Sequence, residues 1–156
     1  MAETAKGEEL YNQVCNVLKK KNWDPECNPD DLVVSVSIDG EDLPISMNIR
    51  IKERLEAISI FCLLPFDMTE EHRMDVAAAI NFVNSTLDEG SFDFNIQTGD
   101  VGFRVTALYG AQCIIGDELI DHLTEVAVSN LNRFTALFFA LSKGMISLEK
   151  FLEAMG

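Results

Sequence analysis

The sequence predicts an α+β fold, an antiparallel sheet packed with helices in the order α-β-β-β-α-β-β-α. Three observations predict it. Apolar residues recur first at helical spacing, then alternate over three successive stretches, and the same change of period repeats after a second helical stretch. Turn residues stand where each alternating stretch stops, so neighbouring strands join as hairpins. The last third of the chain carries one long apolar helical pattern.

Residues 1–7 are polar and are expected to form a loose tail. From Glu8 to Lys21, Leu10, Tyr11, Val14, Val17 and Leu18 fall on one helical face. Lys19, Lys20 and Lys21 then complement the helix dipole in the last turn. Pro25 and Pro29 forbid continuation and predict a loop.

In Leu32–Asp39, Leu32, Val34, Val36 and Ile38 share one face, and Asp39-Gly40-Glu41-Asp42 makes a turn. Ile45, Met47, Ile49 and Ile51 alternate strictly with Ser46, Asn48, Arg50 and Lys52, the pattern of one buried and one wet face. The third strand, Leu55–Leu64, is apolar on both parities, so a central strand covered on both faces is expected.

Pro65 ends that strand. Thr69 is the expected N-cap of a helix running to about Asp88, with Glu70 and Glu71 in its first turn and Gly90 as terminator. Phe92, Phe94 and Ile96 alternate with polar residues, Thr98-Gly99-Asp100 turns the chain, and Val101, Phe103 and Val105 return as an antiparallel partner. Asp117 caps a helix to about Ser142, which would be roughly 39 Å long at 1.5 Å per residue. Gly144 breaks it. Ser147 caps a short helix to Met155, with Ile146 and Phe151 placed as a hydrophobic staple.

A chain of 156 residues is one domain of ordinary size, large enough to bury a core without a metal or disulfide staple. The formal charge of −14, from 12 basic and 26 acidic residues, repels phosphate backbones and anionic surfaces. Neither nucleic acid nor membrane is an expected partner. Cys15, Cys27, Cys62 and Cys113 have no zinc or redox spacing and read as reduced, structural residues. Residues 1–9 lack the apolar stretch of a secretory signal, and no run of 18 uncharged apolar residues occurs. A cytoplasmic location is the expectation.

No set of residues collects chemistry. Glu118 and His122, four apart on one helix face, could hold a metal only loosely, and without a third ligand a solvated first turn explains them better. His72 follows Glu70 and Glu71 in the same manner. There is no nucleophile elbow and no Gly-rich phosphate loop. No catalytic, cofactor-binding or metal-binding residues are therefore assigned, and the protein is read as a non-enzyme without cofactors. Arg50, Lys52 and Arg54 could form an anion stripe, but they read more simply as the wet face of a strand. Trp23 is either a partner anchor or a lid on one end of the core.

The helix segment Ala78-Ala79-Ile80-Asn81-Phe82-Val83-Asn84, followed by Phe92-Asp93-Phe94, the Gly99-Asp100 turn and the strand Val101–Leu108, resembles the YbjN family, described as sensory transduction regulators of bacteria. The upstream strands and the helix from Asp117-Glu118-Leu119 fit in position, so the resemblance covers residues 8–142. It implies the fold of type III secretion chaperones and a homodimer, and it brings no catalytic residues. Asn81 and Asn84 match the family's helical asparagines and read as amides that bond backbone at a strand or turn. The helix Ser147–Met155 looks like an addition to the family pattern.

Together these readings predict a single YbjN-like domain over residues 1–156, with 145–156 a short helical extension. Its expected function is non-enzymatic protein binding, chaperone-like or regulatory, as a dimer. The alternatives are a dedicated chaperone for one client and, less favoured, a small-molecule or metal-dependent enzyme. Surplus apolar surface motivates the dimer: Leu137, Phe138, Phe139 and Leu141 lie in a helix end that is apolar on every side. The expected partners are a second copy of the chain and a protein client. The alternative for this helix end is that residues 145–156 cover it within one chain.

Overall fold

Ile45–Lys52 alternates buried and exposed residues along its whole length, and the sheet is built outward from it. In the computed structural model, which describes residues 2–155 with side chains from Lys6 onward, ten elements follow one another. They are α1 (Ala2–Lys20), β1 (Glu26–Asn28), β2 (Val33–Ile38), β3 (Ile45–Lys52), β4 (Ala57–Leu63), α2 (Arg73–Thr86), β5 (Ser91–Phe94), β6 (Val101–Leu108), α3 (Asp117–Ser142) and α4 (Leu148–Met155). The six strands form one sheet in the order β1-β2-β3-β4-β6-β5, antiparallel throughout. The α+β class agrees with the sequence, and so does the element order apart from the extra strand β1.

The register explains the core. Met47, Ile49 and Ile51 on β3 stand opposite Cys62, Ile60 and Ile58 on β4, which in turn face Phe103, Val105 and Ala107 on β6. The inward residues of all three strands meet Val14 and Leu18 of α1 and Ile120, Ala127 and Phe134 of α3 in one continuous buried cluster. Phe92 on β5 ties sheet to helix, with ring centroids 5.1 Å from Phe103 and 5.8 Å from Phe134. Edge-to-face contacts of this kind add to the burial of each ring. The edge strands β1 and β5 are only three and four residues long, which limits unwanted strand addition.

Several sequence expectations change. The expected tail at 1–7 is helical from Ala2, with Gly7 buried and the Lys6 ammonium donating to Gly110 O at 2.7 Å. Met1 lies outside the described residues, as does Gly156. The loop between the two prolines contains β1, whose three exposed residues gave no apolar signal. Thr69 does not cap α2; its hydroxyl donates to Ser142 O, while Ser142 Oγ accepts the Thr69 N–H at 3.1 Å, closing the end of α3. The second helix stops at Thr86, and Gly90, with φ of 75°, makes the turn into β5 instead. Gly116, not Asp117, is the N-cap residue of α3.

The largest change concerns β4. It is central, as expected, but covered on one face only: the described helices share the inner face. On the outer face Ala57 and Ser59 are small enough to be hidden by their neighbours, while Phe61 and Leu63 remain 36% and 47% exposed. Phe61 is only partly exposed because it lies across Gly102 of β6, where an added Cβ would sit 2.3 Å from its Cζ. The sheet shelters much of the ring without a second layer.

Candidate protein-binding surface

Strand alternation puts Ser46, Asn48, Arg50 and Lys52 of β3, Phe61 and Leu63 of β4, and Gly102, Arg104 and Thr106 of β6 on the outer side of the sheet. Phe61 stands between Asn48 and Arg104, and Leu63 between Ser46 and Gly102. The result is an apolar centre with a polar surround. Ser59 and Thr106 hydroxyls bond each other at 3.0 Å, and Ser35 donates to Asn48 Oδ1 at 2.7 Å, so part of that surround is held in place.

Arg104 is fixed by two bonds to one carboxylate: Nε lies 3.1 Å from Asp93 Oδ2 and Nη2 lies 3.1 Å from Oδ1. Both side chains are about half exposed, so the pair contributes little to stability and mainly sets orientation. It balances Arg104 on the β5 side of the apolar centre. Arg50 and Lys52 on the β3 side are extra cations, in a chain whose formal net charge is −14.

The helix end Leu137, Phe138, Phe139 and Leu141 is divided between core and surface. Phe138 and Leu141 are sealed in the core, because Phe151 of α4 stacks on Phe138 at 5.4 Å. Leu137 is half-buried and packs on the core. Phe139 alone reaches the surface, 36% exposed, against Phe66 at 5.1 Å and under the Lys143 ammonium at 5.7 Å. The extension thus covers most of this apolar end within the chain.

His122 pairs with Glu89 at 2.7 Å rather than with Glu118, joining α3 to the turn before β5. His72 packs on Gly144, where a Cβ would lie 2.8 Å from its Nε2. Among the described residues no three His, Cys, Asp or Glu side chains converge as metal ligands. Asn84 turns onto β5 and Asn81 is exposed to solvent. Trp23 packs partly against the core beneath Lys21 Nζ, 5.2 Å from its ring, and walls an open groove of about 540 Å³ beside α3. Asp117 is held below the usual carboxylate range, first by the Gln13 amide that donates to it at 2.9 Å and then by Lys20. Sequence reasoning did not find the closeness of Cys15 and Cys27, because they lie twelve positions apart with Pro25 between them.

A family model described as "YbjN: Putative bacterial sensory transduction regulator" matches residues 11–140. The chain belongs to the YbjN family. The YbjN match takes in every strand, α2 and nearly all of α3, and with them the whole open sheet face. It leaves out α4, so the helix that seals Phe138 lies beyond the family segment. The family description is that of a regulator. A search of curated proteins gives no match. Among the described residues no helix is long and apolar enough to cross a membrane.

Proposed function

We propose that this YbjN-family chain is a non-enzymatic regulatory module that works by binding protein through the open face of its sheet, first of all a second copy of itself. The observation that carries the reading is the placement of Phe61 and Leu63, two large apolar side chains on a central strand with no layer above them among the described residues. Exposed apolar residues ringed by polar ones mark interaction sites more often than isolated surface apolar residues do.

The position of Phe61 and Leu63 on a central strand suits a two-fold contact. With the axis running along β4, β3 of one copy lies over β6 and β5 of the other, because the same patch must serve both sides. The two apolar centres, Phe61 and Leu63 of each copy, then meet in the middle. The reading puts the protein in the bacterial cytoplasm, where thiols are reduced at rest and disulfides are transient.

Sedimentation equilibrium tests it. The expected mass is twice 17.4 kDa, and Phe61→Glu with Leu63→Glu returns one subunit mass while the far-ultraviolet circular dichroism is unchanged. A wild-type chain that stays at 17.4 kDa at high concentration, or a dimer indifferent to both substitutions, contradicts it.

A second reading, a chaperone dedicated to one client, is favoured by a separate observation. Ile114 stands 98% exposed beside an open groove of about 390 Å³ that Leu10, Gln13 and Cys113 also line. Stoichiometric co-purification of one client, lost on Ile114→Asp but kept in Phe61→Glu, would select this reading over the first.

A further inference from the structure

Cys15 and Cys27 are brought together by the fold. Cys15 lies on the buried face of α1, and Cys27 is the middle residue of the exposed edge strand β1, paired with Val34 of β2. Their Sγ atoms are 2.8 Å apart. A disulfide bond is about 2.05 Å long, so only a small displacement separates the two thiols from bonding. The other two cysteines differ: Cys62 is enclosed by the sheet core, and Cys113 is exposed in the loop before α3. The surroundings of the pair are also unusual. Tyr11, one turn before Cys15, has a buried hydroxyl that makes no hydrogen bond of ordinary geometry. Burial raises its pKa first, and the nearby Cys15 and Cys27 sulfurs raise it further, so the phenol stays neutral beside them.

We propose that Cys15 and Cys27 are a thiol–disulfide modification site, at which a low-molecular-weight disulfide such as oxidised glutathione reversibly bonds the edge strand β1 to α1. The two cysteines have separate roles. Cys27 is accessible, so its thiolate attacks the external disulfide, forms a mixed disulfide and releases one thiolate. Cys15 is buried, and burial holds its thiol above the usual range, so it does not meet the reagent itself. It loses its proton as it attacks the Cys27 sulfur and releases the second thiolate. Two cysteine thiols are oxidised, one disulfide is reduced to two thiols, and the two protons end on the departing thiolates. The bond closes the segment that holds Trp23, Pro25 and the start of β1, and cross-linking such a segment restricts the unfolded chain.

The test uses the full chain equilibrated in graded mixtures of reduced and oxidised glutathione, quenched with acid, alkylated and digested with trypsin. Peptides 7–19 and 22–50 carry Cys15 and Cys27 respectively. The expected result is that these peptides become joined, with loss of two hydrogens, while Cys113 in the same samples carries a glutathione adduct or remains a thiol. In Cys15→Ser, Cys27 should carry a persistent adduct as Cys113 does. In Cys27→Ser, an exposed and structurally mild change, Cys15 should become alkylated only after denaturation. The oxidised wild type should also melt several degrees above the reduced form, a difference absent from Cys27→Ser. The proposal is overturned if wild-type Cys27 accumulates the same adduct as Cys113, if Cys15 stays alkylatable at every ratio, or if oxidation leaves the melting temperature unchanged.

Discussion

Asn84 of α2 holds Phe92 of β5 by both of its backbone groups: the amide Nδ2 donates to Phe92 O at 3.0 Å, and Phe92 N–H donates to Oδ1 at 2.8 Å. β5 is an edge strand, so these groups face away from β6 and have no strand partner. Asn84 takes that strand's place. Phe92 is also the ring that joins the sheet to α3 and stands 5.1 Å from Phe138, so a side chain eight residues earlier in the chain fixes the centre of the aromatic cluster. Asn84→Ala leaves a donor and an acceptor unsatisfied and should cost about 1–3 kcal/mol in urea denaturation. Asn84→Asp keeps the acceptor and should cost less. Equal stability of Asn84→Ala and wild type would remove the strand-substitute role.

The Phe138–Phe151 stack sets a second expectation. Phe151 is fully buried although α4 is only eight residues long. Truncating a buried phenylalanine costs about 3–5 kcal/mol through lost burial and the cavity left behind. Phe151→Ala should therefore lower the melting temperature markedly without changing the strand signal in circular dichroism. Deletion of residues 145–156 should go further, exposing Phe138 and Leu141, and light scattering should show association that rises with concentration. A truncated chain that melts like the full one would mean that α4 contributes nothing to the core.

The order of elements was legible because it rests on period, and β3 shows why: every second side chain from Ile45 to Ile51 is apolar, and the helices need only one sheet face. Period does not report what lies above a strand. Phe61 and Leu63 carry the same apolar signal as Ile58 and Ile60, yet the first pair meets water because no further layer exists above them among the described residues. Leu137–Leu141 read as surplus surface with residues 145–156 as its alternative cover, and Phe151 does stack on Phe138 while Phe139 stays at the surface. Asn84 was legible as an amide bonding backbone, although its partner was not. The closeness of Cys15 to Cys27 depends on how α1 docks beside the sheet edge, and no local pattern records it.

Alkaline pH probes the core through Cys62. Burial between β3 and β6 pushes its thiol from an ordinary 9.0 up to about 12. The folded pKa is the higher one, so the unfolded chain loses this proton first as pH rises. The stability tied to the neutral thiol is complete below pH 9 and declines as pH rises toward 12, by up to about 1.4 kcal/mol per pH unit for one proton. Tyr11 and Tyr109, also raised by burial, add to the decline at still higher pH. Denaturant midpoints at pH 7, 9 and 10.5 should fall more steeply for wild type than for Cys62→Ala, whose baseline is lower but flatter. Parallel pH profiles for the two proteins would refute the link.

Gly102 offers a way to disturb the open face without charging it. One of its Cα hydrogens lies under the Phe61 ring, and a methyl group in its place would come within 2.3 Å of Phe61 Cζ and 2.6 Å of Cε2, but no nearer than 3.2 Å to the Cys62 carbonyl oxygen. The atoms that must move are the far end of a partly exposed side chain, so Gly102→Ala lifts Phe61 off the sheet while the strand stays in place. Overpacking in a closed core costs about 1–3 kcal/mol, and an outward-swinging ring should keep the change at the low end. The self-association described above depends on where that ring sits, so its dissociation constant should rise about tenfold or more, equivalent to about 1.4 kcal/mol. Met145→Glu, 69% exposed after the end of α3, serves as the comparison and should leave association unchanged. A Gly102→Ala chain that melts normally and still dimerises like wild type would show that Phe61 has no part in the contact; one that melts far lower would show that the ring cannot swing out and that the outer face is packed more tightly than its exposure implies.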